Sequence, residues 1–185
     1  MATDLFLGAT EKLTIASVYT EYPKDLIVRA QYNPRELQIS QPIGWNEHES
    51  LEGQHAANIV MEFGGVKASS MQVELLFDGV ENQGKIGSKH DDPSVVGQIA
   101  MLKQLASVKD AHSPDPELRR PYWCLVTWGT KGVPPFRCVI ESLTTKYLMF
   151  ARDGQVLRAS CTVGLKEADM VQLARKNNAP ARRSA

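Results

Sequence analysis

Residues 136–166 read Phe-Arg-Cys-Val-Ile-Glu-Ser-Leu-Thr-Thr-Lys-Tyr-Leu-Met-Phe-Ala-Arg-Asp-Gly-Gln-Val-Leu-Arg-Ala-Ser-Cys-Thr-Val-Gly-Leu-Lys. Two long β-type runs flank Asp153-Gly154, a pair that supplies the positive φ a tight hairpin turn needs. The second arm alternates: Leu157, Ala159, Cys161, Val163 and Leu165 share one face, and Arg158, Ser160, Thr162 and Lys166 the other. A period of two implies one buried and one wet face. The first arm changes phase. Phe136, Cys138 and Ile140 share a parity, whereas Leu143, Tyr147 and Met149 have the opposite one. The switch near Glu141-Ser142 predicts a bulge, a sharp bend or burial of both faces. It suits a barrel corner or a subunit seam better than a flat sheet.

Outward from this hairpin, the chain reads as further short strands and one helix. Strands are predicted over Leu13–Tyr19, Leu26–Tyr32, around Leu37 and Ile39, from Ile59 to a stop at Gly64-Gly65, over Ser70–Asp78 and over Tyr122–Trp128. In Ser70–Asp78, Met71, Val73, Leu75 and Phe77 point inward. Gly44–Asn58 is polar and aperiodic, so it reads as a long exposed loop or a hairpin. Asp92-Pro93 offers an N-cap and a first-turn proline to a helix running to about Val108. Its buried stripe is Val95, Ile99, Leu102 and Ala106, with Val96 and Leu105 beside it. A short helical turn over Val171–Arg175 precedes a basic, flexible tail. The expected fold is mainly β: two packed antiparallel sheets in a barrel or sandwich with one helix, in a domain of residues 1–169 followed by a tail of residues 170–185.

The 185-residue chain has 21 basic and 21 acidic side chains, which argues against nucleic-acid binding by bulk electrostatics. Cys124, Cys138 and Cys161 are odd in number and lie in apolar runs, the pattern of buried free thiols rather than of a disulfide or zinc framework. Neither a secretory leader nor a membrane-spanning run is read, so the expectation is a protein made in a reducing cytoplasm that leaves it, if at all, by lysis or a signal-independent route.

Catalytic signals are incomplete. Gly79–Lys85 matches the first part of a phosphate-binding loop, but Ile86 stands where a hydroxyl should reach magnesium. His48, His55, His90 and His112 lie in predicted loops without zinc-ligand spacing. His90-Asp91-Asp92 is the best candidate for a weak metal or acid–base cluster; more often such a cluster is a solvated helix entry. No Gly-x-Ser-x-Gly elbow occurs. Trp45, Trp123 and Trp128 read as packing residues before they read as a ligand platform. No catalytic, cofactor-binding or metal residue is assigned. A small-molecule-binding β-barrel remains the alternative, resting on the aromatics and a closed sheet.

Several stretches together carry a family resemblance. They are Tyr32-Asn33-Pro34 with Glu36-Leu37, Gln72–Asp78, Pro121–Gly129, Phe136–Ile140 with Ser142, and Tyr147–Phe150 running into Asp153-Gly154, Arg158-Ala159 and Leu165-Lys166-Glu167. In this order, from about Lys12 to Glu167, the chain resembles the tube-like and tube-initiator (baseplate adaptor) proteins of contractile injection systems. The resemblance implies a tail-tube fold and a homo-hexameric ring. It also implies partners in the spike and hub, the inner tube and the baseplate of a phage-like particle or virion, after assembly in the cytoplasm. No cofactor, no catalysis, no nucleic-acid specificity and no membrane insertion are expected. Longer members continue into a LysM domain, which the sequence after Asp169 does not resemble, so that domain's roles are not carried over. On this reading Trp45, Glu47, His48, Glu49, Lys85, Glu141, Ser142, Thr144 and Lys146 are candidate subunit-interface residues. Arg158, Ser160 and Thr162 are candidates for lining a wet lumen, and Asp153 and Gly154 form the hairpin turn.

Overall fold

In the computed structural model the described residues are 11–18, 26–49, 59–80, 94–116, 118–130 and 132–168. They form β1 (Leu13–Ser17), β2 (Ile27–Arg29), β3 (Gln38–Ser40), β4 (Ile43–Glu49), β5 (Ile59–Val66), β6 (Ser70–Asp78), α1 (Val95–Ala106), β7 (Cys124–Trp128), β8 (Phe136–Phe150) and β9 (Val156–Glu167). Seven strands join in one antiparallel sheet in the order β2-β1-β7-β8-β9-β6-β3, and β4 and β5 make a second, two-stranded sheet. The mainly β expectation with two antiparallel sheets and one helix holds. The two sheets are unequal, and the large one stays an open, sandwich-like layer rather than a closed barrel.

Strand alternation places the core. Leu13 and Ile15 of β1, Met71, Val73, Leu75 and Phe77 of β6, and Ala159, Cys161, Val163 and Leu165 of β9 are buried in one cluster with Val95, Ile99, Leu102 and Leu105 of α1. The end strand β2 and, toward the other end of the sheet, β6 both touch α1, so the sheet curves about the helix. Each buried Leu, Ile, Val, Met or Phe among them contributes about 1.5–3 kcal/mol by burial. The surface pair of Lys166 and Glu141, 3.3 Å apart, contributes at most about 1 kcal/mol. Burial therefore decides the fold.

The hairpin that decided the reading carries its bulge where the phase switches. Ile140 pairs with Leu165 and Ser142 with Gly164, leaving Glu141 as the extra residue. A Cβ on Gly164 would overlap the Ser142 hydroxyl, so a glycine stands where the bulged strand comes closest. Just before the bulge, after Cys138, β8 loses a neighbour. β7 pairs with β8 only at Phe136, Arg137 and Cys138, so beyond the bulge β8 pairs with β9 alone among the described residues. The turn is wider than a two-residue loop. Gly154 N–H donates to the Ala151 carbonyl (3.0 Å), Ala151 N–H donates to the Gln155 carbonyl (2.8 Å), and Gly154 has φ 88°. That is a three-residue loop ending in a left-handed glycine. The Asp153 carboxylate accepts from Gln155 N–H at 3.0 Å.

Three local expectations are corrected. The helix cap is Ser94, whose hydroxyl accepts from Gly97 N–H at 2.9 Å, and α1 begins at Val95. Val96 is 51% exposed, because it points away from the stripe through Val95, Ile99 and Leu102. Gly64-Gly65 does not end the run from Ile59: β5 continues to Val66, with a register shift opposite Gly44 and Trp45. Between the two readings of Gly44–Asn58, the hairpin is the one observed, since β4 pairs with β5; residues 50–58 lie outside the described residues. So do His55, Lys85, the His90-Asp91-Asp92 cluster, Pro93, most of the Gly79–Lys85 loop and everything after Ala168.

Candidate functional site

The outer face of β8, β9 and β6 is built by register. Counting back from the turn, Lys146 pairs with Ser160, Thr144 with Thr162 and Ser142 with Gly164. On the other side of β9, Arg158 pairs with Asp78, Ser160 with Leu76, Thr162 with Glu74 and Gly164 with Gln72. Ser142, Thr144 and Lys146, candidates for a seam, thus share one surface with Arg158, Ser160 and Thr162, candidates for a lumen. The sequence separates the two sets; the hairpin superimposes them.

Two polar pairs tie β9 to β6 on this face. The Arg158 guanidinium donates to Asp78 Oδ2 through Nη2 (2.6 Å) and Nε (2.9 Å). The Ser160 hydroxyl donates to Glu74 Oε1, and Ser160 is buried. Arg158, with the Val80 N–H, holds the Asp78 carboxyl below its ordinary value of 3.8. Hydrogen bonds from Ser69 lower Glu167 in the same way. Segment 32–38 crosses one side of the face and leaves an open groove of about 760 Å³, lined by Tyr32, Arg35, Glu74, Leu148, Ser160 and Thr162 among others. Glu74 was not singled out by the sequence. Its outward parity in β6 was legible, but its partner lies 86 residues away.

The open seam of the large sheet is bridged by a side chain. Gln31, just after β2, donates from Nε2 to the Asp78 carbonyl and accepts from the Asp78 N–H, both at 2.7 Å. One primary amide thereby pairs with the backbone of β6 as a strand residue would. Asn33 does the same at β1, accepting from Leu13 N–H (3.1 Å) and donating to the Glu11 carbonyl (2.7 Å). This gives the Tyr32-Asn33-Pro34 stretch a structural reason.

The remaining candidates lie elsewhere. Trp45 and Glu47 are exposed on β4, where Trp45 meets Phe63 edge-on with ring centroids 5.5 Å apart. His48 and Glu49 belong to β4 by backbone; their side chains, like Lys85, lie outside the described residues. Glu141 is exposed at the bulge beside Lys166. Trp128 packs against the core, and the Arg120 guanidinium stacks over Trp123 at 4.6 Å. Cys124, Cys138 and Cys161 are free and buried, and burial pushes the first two thiols up to about 12. Among the described residues no group of acidic, histidine or cysteine side chains is placed to hold a metal, and no helix is long and apolar enough to cross a membrane. The face of the large sheet that would line a barrel interior is filled by α1, which removes the premise of the small-molecule barrel.

Comparison with known proteins gives one family. The model of the contractile injection system tube protein matches residues 9–176. No curated protein matches the chain. Among solved structures, a chain from the tail of an empty gene transfer agent particle, refined helically with C6 symmetry, is 16% identical over 85% of this chain and 91% of its own, with a TM-score of 0.41. A chain of the native gene transfer agent virion is 14% identical over 86% and 92%, with a TM-score of 0.41. A chain of the anti-feeding prophage baseplate, 6-fold symmetrised, is 13% identical over 91% and 95%, with a TM-score of 0.42. Likenesses this weak carry no argument beyond themselves.

Proposed function

The chain belongs to the contractile injection system tube protein family, and on that premise we propose that it is an architectural subunit of a phage-like contractile particle. Its copies close into a hexameric ring. That ring is either part of the inner tube or the tube initiator that joins the spike and hub to the tube in the baseplate. Residues 1–169 form the ring-building domain and residues 170–185 a tail. The chain assembles in the cytoplasm and then resides in the particle. The role requires no catalysis, cofactor or metal.

The observation that carries this reading is the family match across residues 9–176. The surface agrees with it. Large apolar side chains stand exposed on the β4–β5 ribbon and at the far end of β8, whereas the β9 face carries the Arg158–Asp78 and Ser160–Glu74 pairs. Exposed apolar area calls for protein contacts, and a hydrated, self-paired face suits a wet lumen. Arg158, Ser160 and Thr162 are therefore assigned to the lumen side, and Trp45, Glu47, His48, Glu49, Lys85, Glu141, Ser142, Thr144 and Lys146 to contacts between subunits.

Mass photometry of the purified chain, alone and co-expressed with its hub and tube neighbours, tests the proposal. A species of six copies, and rings in negative stain, are expected. A chain that stays monomeric at high concentration and joins no ring in the presence of those neighbours would overturn it.

A further inference from the structure

The β4–β5 ribbon stands as a separate sheet whose strands pack chiefly on each other. A two-stranded ribbon is marginal in water without a surface to lie on. Register puts Trp45 opposite Phe63, Glu47 opposite Met61 and Ile43 opposite Val66; the shift at Gly44/Trp45 brings all five apolar residues to one face. Ile43, Trp45, Met61, Phe63 and Val66 are each about half exposed. From Ile43 to Val66 the sequence has four carboxylates (Glu47, Glu49, Glu52, Glu62) and no lysine or arginine. The arm is thus apolar and acidic.

The same chain carries the complement. At the far end of β8, Tyr147, Leu148, Met149 and Phe150 are exposed, and Lys146 and Arg152 bracket them. Among the described residues, this is also the half of β8 that lacks a strand on one side. Both surfaces are exposed in one molecule, so neither covers the other within the chain. Two arms laid face to face would set Glu47 against Glu47, and two tips would set Lys146 and Arg152 against their own copies, the Asp153 carboxylate being turned onto Gln155 N–H. Only arm against tip pairs apolar with apolar and acid with base.

Building on the ring proposed above, we infer that the β4–β5 arm of one copy seats on the β8–β9 tip of the next. The contact is heterologous, with different patches on the two subunits, which is the kind that closes rings or propagates filaments. Trp45 and Phe63 are its apolar anchors, and Glu47 faces Lys146 and Arg152.

A mixing experiment decides it. Trp45→Ser/Phe63→Ser spoils the arm, and Leu148→Ser/Phe150→Ser spoils the tip; all four side chains are exposed, and circular dichroism checks the fold. Each variant alone should be monomeric by mass photometry, its association weakened by at least about tenfold per anchor. Mixed, they retain one intact arm and one intact tip, and should form a dimer that grows no further. Should either apolar variant fail to fold, charge reversal substitutes: Glu47→Lys weakens assembly and Lys146→Glu added to the same chain restores it. Arm variants that assemble like the wild type, or a mixture that stays monomeric beside a ring-forming wild type, overturn the inference and leave the ring reading intact. A wild type that never associates overturns both.

Discussion

Gln31 and Asp78 show how much one residue can carry. The Gln31 amide meets both backbone groups of Asp78, and the Asp78 carboxylate meets Arg158. Gln31→Ala strands a donor and an acceptor at the seam. It should cost about 1–3 kcal/mol, read as a lower urea midpoint with an unchanged m-value. The Asp78 carboxylate makes a second, pH-dependent contribution. Its folded pKa lies below 3.8, with Arg158 the largest cause. The stabilisation is therefore fully present above the unfolded value and is lost as pH falls through the folded one. Asp78→Asn should be less stable than the wild type at pH 7, and the gap between their urea midpoints should close below about pH 4. A gap that widens on acidification would contradict the ion pair. The outward parity of Asp78 in Ser70–Asp78 was legible in the sequence. Gln31 was not, because a glutamine in a short strand advertises no partner 47 residues away.

At the scale of elements, the β8–β9 hairpin and α1 rest on local chemistry. Gly154 has φ 88° and nothing within 4 Å of where its Cβ would be, so the demand is on the backbone alone. Gly154→Ala should cost about 1 kcal/mol and Gly154→Val more, since β-branching adds to the left-handed penalty. Thermal melts of the two variants check the order; equal losses would show that β-branching adds nothing to the left-handed penalty. Ser94→Ala removes the helix cap and should cost about 1 kcal/mol, whereas Asp92→Ala should cost less if Ser94 is the capping residue. The bulge at Glu141 was foreseen as one of three causes of the phase switch, since alternation fails wherever a residue is inserted. Its choice over a bend or two-sided burial needed the pairing partners, and so did the discovery that β7 departs there.

At the scale of the molecule, a curved sheet around α1 seals the three thiols. Cys124 and Cys138 face each other across β7 and β8, both are fully buried, and burial pushes both thiols up to about 12. A maleimide or a disulfide reagent should therefore label no thiol of the native chain at neutral pH, and all three once urea unfolds it. The labelling rate should follow the unfolding curve. Rapid labelling of one thiol in the native protein would mark a local opening of the core. The burial itself was readable, because each cysteine sits at an apolar parity in a strand-like run.

The sequence alone determined the class of fold, its long hairpin, the inward sets of β6 and β9, the stripe of α1 and the free thiols. Side-chain periodicity and turn chemistry are local properties, legible one segment at a time. Tertiary structure alone decided which segments share a surface. It superimposed the candidate seam and lumen residues on one face, set the Gln31 amide across the open edge and, among the described residues, left half of β8 paired on one side only and stood the β4–β5 ribbon apart with its apolar face exposed. These depend on pairings between residues tens of positions apart, which sequence spacing does not encode.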